Sequence, residues 1–214
     1  MKIIIVANSP KKSFASLYHL NPSDYFIGID GGCSELLKRN IIPDIAIGDF
    51  DSTNMFDTIQ EKAITTKVFP SKKNETDLEL ALMHLATIKG ATNLIIEVYD
   101  ALSGRLDHEL LAIKLLQKYA QYKIKLIDEV NTIQLVKENS QIEIKENQMV
   151  YFSLIPINEA LVSVRNALYP LDHIMIHPLD TYTTSNGRLD DKTIPTVCVH
   201  QGMIYLIIIK NQDI

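Results

Sequence analysis

In the stretch IPDIAIGDFDST, residues 42–53, an apolar run ends on two carboxylates, Asp49 and Asp51, one residue apart. Carboxylates that close disfavour each other's ionisation unless a cation lies between them. The pair is therefore either a water-screened turn or part of a ligand set for a hard metal ion. Other charged residues stand in comparable places. Asp30 follows YFIGI and precedes Gly31 and Gly32, and Asp100 follows NLIIEVY. Asp77 opens TDLELAL behind Thr76, with Lys72 and Lys73 just upstream, while Arg105, Asp107 and His108 open GRLDHELLAI. Singly, each has an ordinary explanation. Asp and Gly form turns, and Asp in a first helical turn complements the helix dipole. Jointly, hard oxygen donors suit Mg²⁺, which binds a few carboxylates plus substrate phosphates, and Arg and Lys suit the phosphates. The chemistry indicated is metal-assisted phosphoryl transfer.

The elements that must position these groups alternate through residue 128. KIIIVA, YFIGID, IAIGDF, ITTKVF, NLIIEVY and KIKLI are short Ile- and Val-rich runs, as in strands of a parallel sheet buried on both faces. TDLELALMHLATIKG predicts a helix from Thr76 to Gly90, with Leu78, Ala81, Leu82 and Leu85 on one face and a Thr76/Glu79 capping box. GRLDHELLAIKLLQKYA predicts another, with Leu106, Leu110 and Ile113 as its apolar stripe. The expectation for residues 1–128 is an open, mainly parallel α/β sheet. Such a sheet gathers its strand-end residues at one edge, where ligands bind. From residue 129 to 214 the pattern changes to TIQLV, QIEIK, MVYFSLI, ALVSV, HIMIH, TVCVH and MIYLIII with turn residues between. That predicts a C-terminal antiparallel β-sandwich or barrel.

With 46% hydrophobic and 22% charged residues among 214, the chain has enough apolar material for a real core. Its formal net charge of −5 argues against a nucleic-acid binder. The N-terminal apolar run is too short for a signal peptide, and MIYLIII falls far below the ~20 residues of a membrane helix. Two cysteines, Cys33 and Cys198, without CxxC spacing fit a reducing compartment, so the expected location is the cytoplasm.

The ordered motifs GIDGG, IIPDIAIGDFDS, KNETDLELAL, SGRLDHELLAI and TSNG resemble the signatures of thiamine pyrophosphokinases, over most of the chain from about residue 28. The resemblance implies an ATP-binding catalytic domain at 1–128, a thiamine-binding and dimerisation domain at 129–214, and conversion of ATP and thiamine to AMP and thiamine diphosphate. It implies catalytic roles for Asp49, Asp51, Asp77, Arg105 and Asp107, the first three as ligands of Mg²⁺. Nucleotide contacts are implied for Asp30, Gly31, Gly32, Lys73, Thr76 and His108. Departures occur at Asn74, where Asp is frequent, at Ser103, where Gly is common, and at Asp100, where the loop usually has Gly.

Late in the chain, DTYTTSNGRLDD reads on its own as a solvated β-turn. Under the resemblance, Ser185 and Asn186 contact thiamine and Tyr182 covers a ring face. The implied assembly is a homodimer with composite sites. Two other readings stay open at the level of residues. DFDST also fits the Asp-x-Asp-x-Thr of haloacid-dehalogenase-type phosphatases, although two strands precede it and the later Asp190-Asp191 lies in the β-rich part. A non-catalytic nucleotide- or thiamine-binding protein is the third reading.

Overall fold

The Ile- and Val-rich runs of the first half form six strands: β1 (Ile3–Val6), β2 (Tyr25–Ile29), β3 (Ile45–Gly48), β4 (Thr65–Val68), β5 (Ile95–Tyr99) and β6 (Lys123–Ile127). The computed structural model describes every residue except Ser52, Ser103, Asn147, Gln148, Asp191 and 211–214. The chain divides into two compact units, Met1–Asp128 and Glu129–Ile214. In the first, the strands lie in the order β4-β3-β2-β1-β5-β6, and every neighbouring pair is parallel. All four residues of β1 are fully buried, as a central strand covered on both faces requires. The connecting helices are α1 (Phe14–Leu17), α2 (Gly31–Lys38), α3 (Phe56–Lys62), α4 (Asp77–His84) and α5 (Leu106–Lys118). Strands β1 to β4 are laid down in one direction and β5 and β6 in the other. The order reverses between β1 and β5, and a crevice forms beyond their carboxyl ends.

Two helix details differ from the sequence expectation. The helix predicted to reach Gly90 ends at His84, and a 3₁₀ turn follows at Leu85–Thr87. Thr87 donates its hydroxyl hydrogen bond to the His84 carbonyl at 2.8 Å, and β-branched Thr87 and Ile88 extend a helix poorly. Ala81, Leu82 and Leu85 are buried but Leu78 only partly. Thr76 Oγ1 accepts from the Glu79 N–H at 3.2 Å, so half of the capping box forms. The Glu79 carboxylate instead takes hydrogen bonds from Lys118 and from the Tyr119 hydroxyl. In α5 the buried residues are Ala112, Leu115 and Leu116, whereas Leu106 and Leu110 are exposed. The helix carries more apolar residues than one stripe can seat, and the stripe with the small Ala112 is the one buried.

The second unit contains β7 (Asn131–Lys137), β8 (Ser140–Glu143), β9 (Met149–Pro156), β10 (Ala160–Arg165), β11 (Leu171–Ile176), β12 (Thr196–Gln201) and β13 (Met203–Lys210). Antiparallel β7-β13-β9 form one layer and antiparallel β11-β10-β12-β8 the other. Phe152, Leu154 and Leu206 from the first layer pack with Val162, Val164 and Val197 from the second. This is a sandwich core built from alternating inward residues.

Candidate active site

The carboxylate pair is set by the residue between its members. Phe50 has φ +56°, costly for a bulky side chain, yet it is 5% exposed and packs against Phe56 at 5.2 Å between ring centroids and beside Cys33, Ala46 and Ile59. The anchored ring fixes the turn, and the backbone N–H of Asp51 donates to Asp49 Oδ1 at 3.2 Å. A side-chain hydrogen bond from Ser71, the Asp51 N–H and the charge of Lys73 hold the Asp49 carboxyl below its ordinary range.

Asp30, at φ +45°, begins α2 and accepts the Phe50 N–H on Oδ1 at 3.2 Å. The carboxylate lies so close to the end of β3 that a Cβ at Gly48 would stand 1.7 Å from Oδ1. Burial pushes the Asp30 carboxyl up to about 6, with the charges of Asp77 and Asp49 adding to the effect and the Phe50 N–H and Lys73 opposing it. Lys73 Nζ is 2.8 Å from Asp77 Oδ1. The approach lies outside hydrogen-bond geometry, so that buried oxygen has no hydrogen-bond partner. Among the described residues no three His, Cys, Asp or Glu side chains stand close enough to grip an ion by themselves. A buried carboxylate oxygen without a hydrogen-bond partner, beside an acid raised by burial and further by its acidic neighbours, nevertheless suits Mg²⁺, which takes one or two carboxylates and completes its shell with water and phosphates.

These groups flank the crevice beyond β1 and β5, a cavity of about 410 Å³. Its walls come from Ala7–Pro10 after β1, Ile29 of β2 and Asp30 just after it, Thr76–Leu78 at the start of α4, Asp100–Leu102 after β5, and Gly104, Arg105, His108, Glu109 and Leu111 at the start of α5. Of the residues expected from the sequence, Asp30, Thr76, Asp77, Arg105 and His108 line it. Asp49 and Lys73 stand outside the lining but act electrostatically on Asp30, and Asp51 is tied to Asp49. Asp107 is exposed and paired with Arg105, Nη2 to Oδ2 at 2.6 Å and Nε to Oδ1 at 3.2 Å. The guanidinium holds the Asp107 carboxyl below its ordinary range. Gly31 and Gly32 serve close packing. A Cβ on Gly32 would come within 2.0 Å of the Val6 carbonyl oxygen, and one on Gly31 within 2.4 Å of Asn8 Oδ1.

Asn8, Ser9 and Glu109 line the cavity without having stood out in the sequence. The polar NSPKKS immediately after an apolar strand was the available signal for the first two. Asp100, which reads as a turn residue, also lines the cavity and caps α1: Oδ1 accepts from Ser13 N–H at 2.6 Å, Ser13 Oγ at 2.9 Å and Phe14 N–H at 3.1 Å. The departure at Ser103 lies outside the described residues.

In the second unit, Tyr182 is 58% exposed and Ser185, at φ +57°, is exposed. Asn186 is buried, and its side chain is largely occupied. Its Oδ1 accepts from the N–H groups of Tyr169 at 3.0 Å and Gly187 at 2.9 Å, and Nδ2 donates to the Tyr169 carbonyl at 2.7 Å. Both thiols are free and buried, and burial pushes that of Cys33 up to about 12. Among the described residues no helix is long and apolar enough to cross a membrane.

Residues 17–127 match the family described as thiamin pyrophosphokinase, catalytic domain. Thiamine pyrophosphokinase of Bacillus subtilis (strain 168) is 35% identical over 221 aligned positions, covering all of both chains. A crystal structure of the thiamine pyrophosphokinase from Bacillus subtilis superposes with a TM-score of 0.84 at 32% identity, covering 99% of this chain and 100% of that one. The thiamin pyrophosphokinase from Geobacillus thermodenitrificans gives a TM-score of 0.84 at 26% identity, covering 100% and 99%.

Proposed function

The chain belongs to the thiamine pyrophosphokinase family, and from that premise we propose that its crevice binds ATP and directs the thiamine hydroxyl at the β-phosphorus. The new bond joins that hydroxyl oxygen to phosphorus, the bond to the α-phosphate bridging oxygen breaks, AMP leaves with that oxygen, and the hydroxyl proton passes to a carboxylate of the site. The observation that carries the reading is the crevice where the strand order reverses, which gathers Asp30, Asp77, Arg105 and His108 in one cavity beside the Asp49–Asp51 turn. Catalysis of this transfer is mainly positioning and charge stabilisation. Asp49, Asp51 and Asp77 would hold Mg²⁺, which neutralises phosphate oxygens when bound. Arg105 binds phosphate oxygens, and Asp107 orients its guanidinium. Lys73, within ion-pair distance of Asp77, supplies a second cation to the transferring group. The dehalogenase-type alternative falls with the family assignment, and DFDST stands after β3, the third strand of the chain.

We also propose a cytoplasmic homodimer in which Ser185 and Tyr182 of each chain contact thiamine. Exposed hydroxyls on a turn support the latter role. Asn186 would shape that turn through Tyr169 rather than bind thiamine directly.

Incubation with ATP, Mg²⁺ and thiamine tests the reaction. AMP released only when thiamine is present is the expected product, and ADP, or nucleotide turnover indifferent to thiamine, would overturn the assignment. Asp49→Asn and Asp51→Asn should fold normally and lose most activity, because an amide cannot balance the ion's charge. Near-wild-type turnover at saturating Mg²⁺ in either variant would remove that residue from the metal site.

A further inference from the structure

Glu109 stands four residues after Arg105, the separation of an ordinary ion pair on one helix face. The pairing found is different. The Arg105 guanidinium goes to Asp107 of the same turn, and the Glu109 carboxylate turns back along the chain to accept the Gly104 N–H on Oε1. The Glu109 N–H meanwhile donates to the Arg105 carbonyl at 3.1 Å. One residue thus holds the peptide groups on both sides of Arg105. Arg105 begins α5 as its N-cap, without a side-chain capping hydrogen bond of its own. The Glu109 reach is that of a capping box displaced by one residue at each end. Gly104 is also seated against the loop after β1, where a Cβ would stand 3.0 Å from Pro10 Cδ. A glycine backbone is otherwise the freest to swing, and here contact and hydrogen bond together restrain it.

The Arg105 side chain is 72% exposed and its partner Asp107 belongs to the same turn, so the place of the guanidinium in the crevice is set by the backbone that carries it. Arg105 and Glu109 both line that crevice. Resting on the reading above in which Arg105 binds phosphate, we propose that Glu109 is a positioning residue for the transfer: its carboxylate and N–H clamp the chain around Arg105 and fix where the guanidinium meets the phosphate oxygens. A loose carboxylate in that wall would repel the phosphates. Bound to a backbone N–H near the start of a helix, its charge is offset by the helix dipole. Placement matters here because catalysis of phosphoryl transfer is mostly geometry and charge stabilisation.

Steady-state AMP release from ATP, Mg²⁺ and saturating thiamine tests this in the full-length protein, with thermal melts alongside. The proteins compared are wild type, Glu109→Gln, Glu109→Ala, Arg105→Ala and the Arg105→Ala/Glu109→Ala pair. Glu109→Ala should lower kcat/KM for ATP about tenfold, and Glu109→Gln, which keeps Oε1 as an acceptor, should stay within about twofold of wild type. With Arg105 already removed, the Glu109→Ala change should cost less than about twofold, because residues that act as a unit are not additive. Should Glu109→Ala melt below the assay temperature, Glu109→Leu, a good helix former likewise without an acceptor, takes its place. The same fold loss in both backgrounds would overturn the inference, since it would mean a helix start loosened without reference to Arg105. So would a Gln variant as poor as the Ala variant, which would make charge or proton transfer the requirement, or an Ala variant as active as wild type. Full activity in Arg105→Ala would remove the phosphate role of Arg105 and this inference with it, while leaving thiamine-dependent AMP release standing. Wild type that releases no AMP in the presence of thiamine would bring down the reaction itself.

Discussion

Asp30 concentrates the electrostatics of the site in one side chain. With its carboxyl raised to about 6, the folded chain retains a proton that the unfolded chain has released near pH 4. Its contribution to stability is therefore present at low pH and lost as pH rises through about 6. Asp30→Asn should accordingly raise the Tm of metal-free protein at pH 7.5, with the difference vanishing at pH 4. Thermal melts in chelator at the two pH values check this, and an Asn variant less stable at pH 7.5 would refute the assigned cause. In the second unit, Asn186→Ala leaves the Tyr169 N–H and C=O without their side-chain partners. A loss of about 1–3 kcal/mol in urea unfolding is expected.

At the scale of elements, α4 places Asp77 by starting where it does, with Thr76 as its cap. Thr76→Ala should cost about 1 kcal/mol of stability in urea unfolding, with a fall in kcat/KM accompanying it as the first turn frays. Stability lost without any change in kcat/KM would mean that Asp77 is not held through the helix start. The strands were legible because β-branched runs bounded by turn residues leave little choice of state, and Asp30 and Asp49 could be placed by standing at strand ends. The buried stripe of α5 was not legible, since Leu106, Leu110, Leu111, Leu115 and Leu116 offer two helical phases and only packing selects between them. Asn8 was hidden for a different reason, and Asp100, visible at a strand end, read only as a turn residue. They become neighbours of one cavity because β1 lies beside β5, a pairing between residues more than 90 positions apart that no local pattern encodes.

At the scale of the molecule, hybrid dimers provide the decisive experiment on shared sites. Asp51→Asn mixed with a Tyr182→Ala/Ser185→Ala variant should regain part of the activity under conditions of demonstrated subunit exchange, and no recovery would mean that each site is built within one chain. The two free cysteines give the molecule a further property, because each unit contains one, Cys33 in the first and Cys198 in the second. Cys33 is fully buried with its thiol pushed up to about 12, so an alkylating reagent attacks it only when its unit opens. The protein thus carries a built-in clock for each unit, read by mass spectrometry without an added probe. ATP at 100 times its Kd should slow the alkylation of Cys33 by about a hundredfold where opening of the unit releases the nucleotide. Cys198 should keep its own rate unless thiamine or a partner chain steadies the sandwich, which makes the pair of rates a map of where each substrate binds.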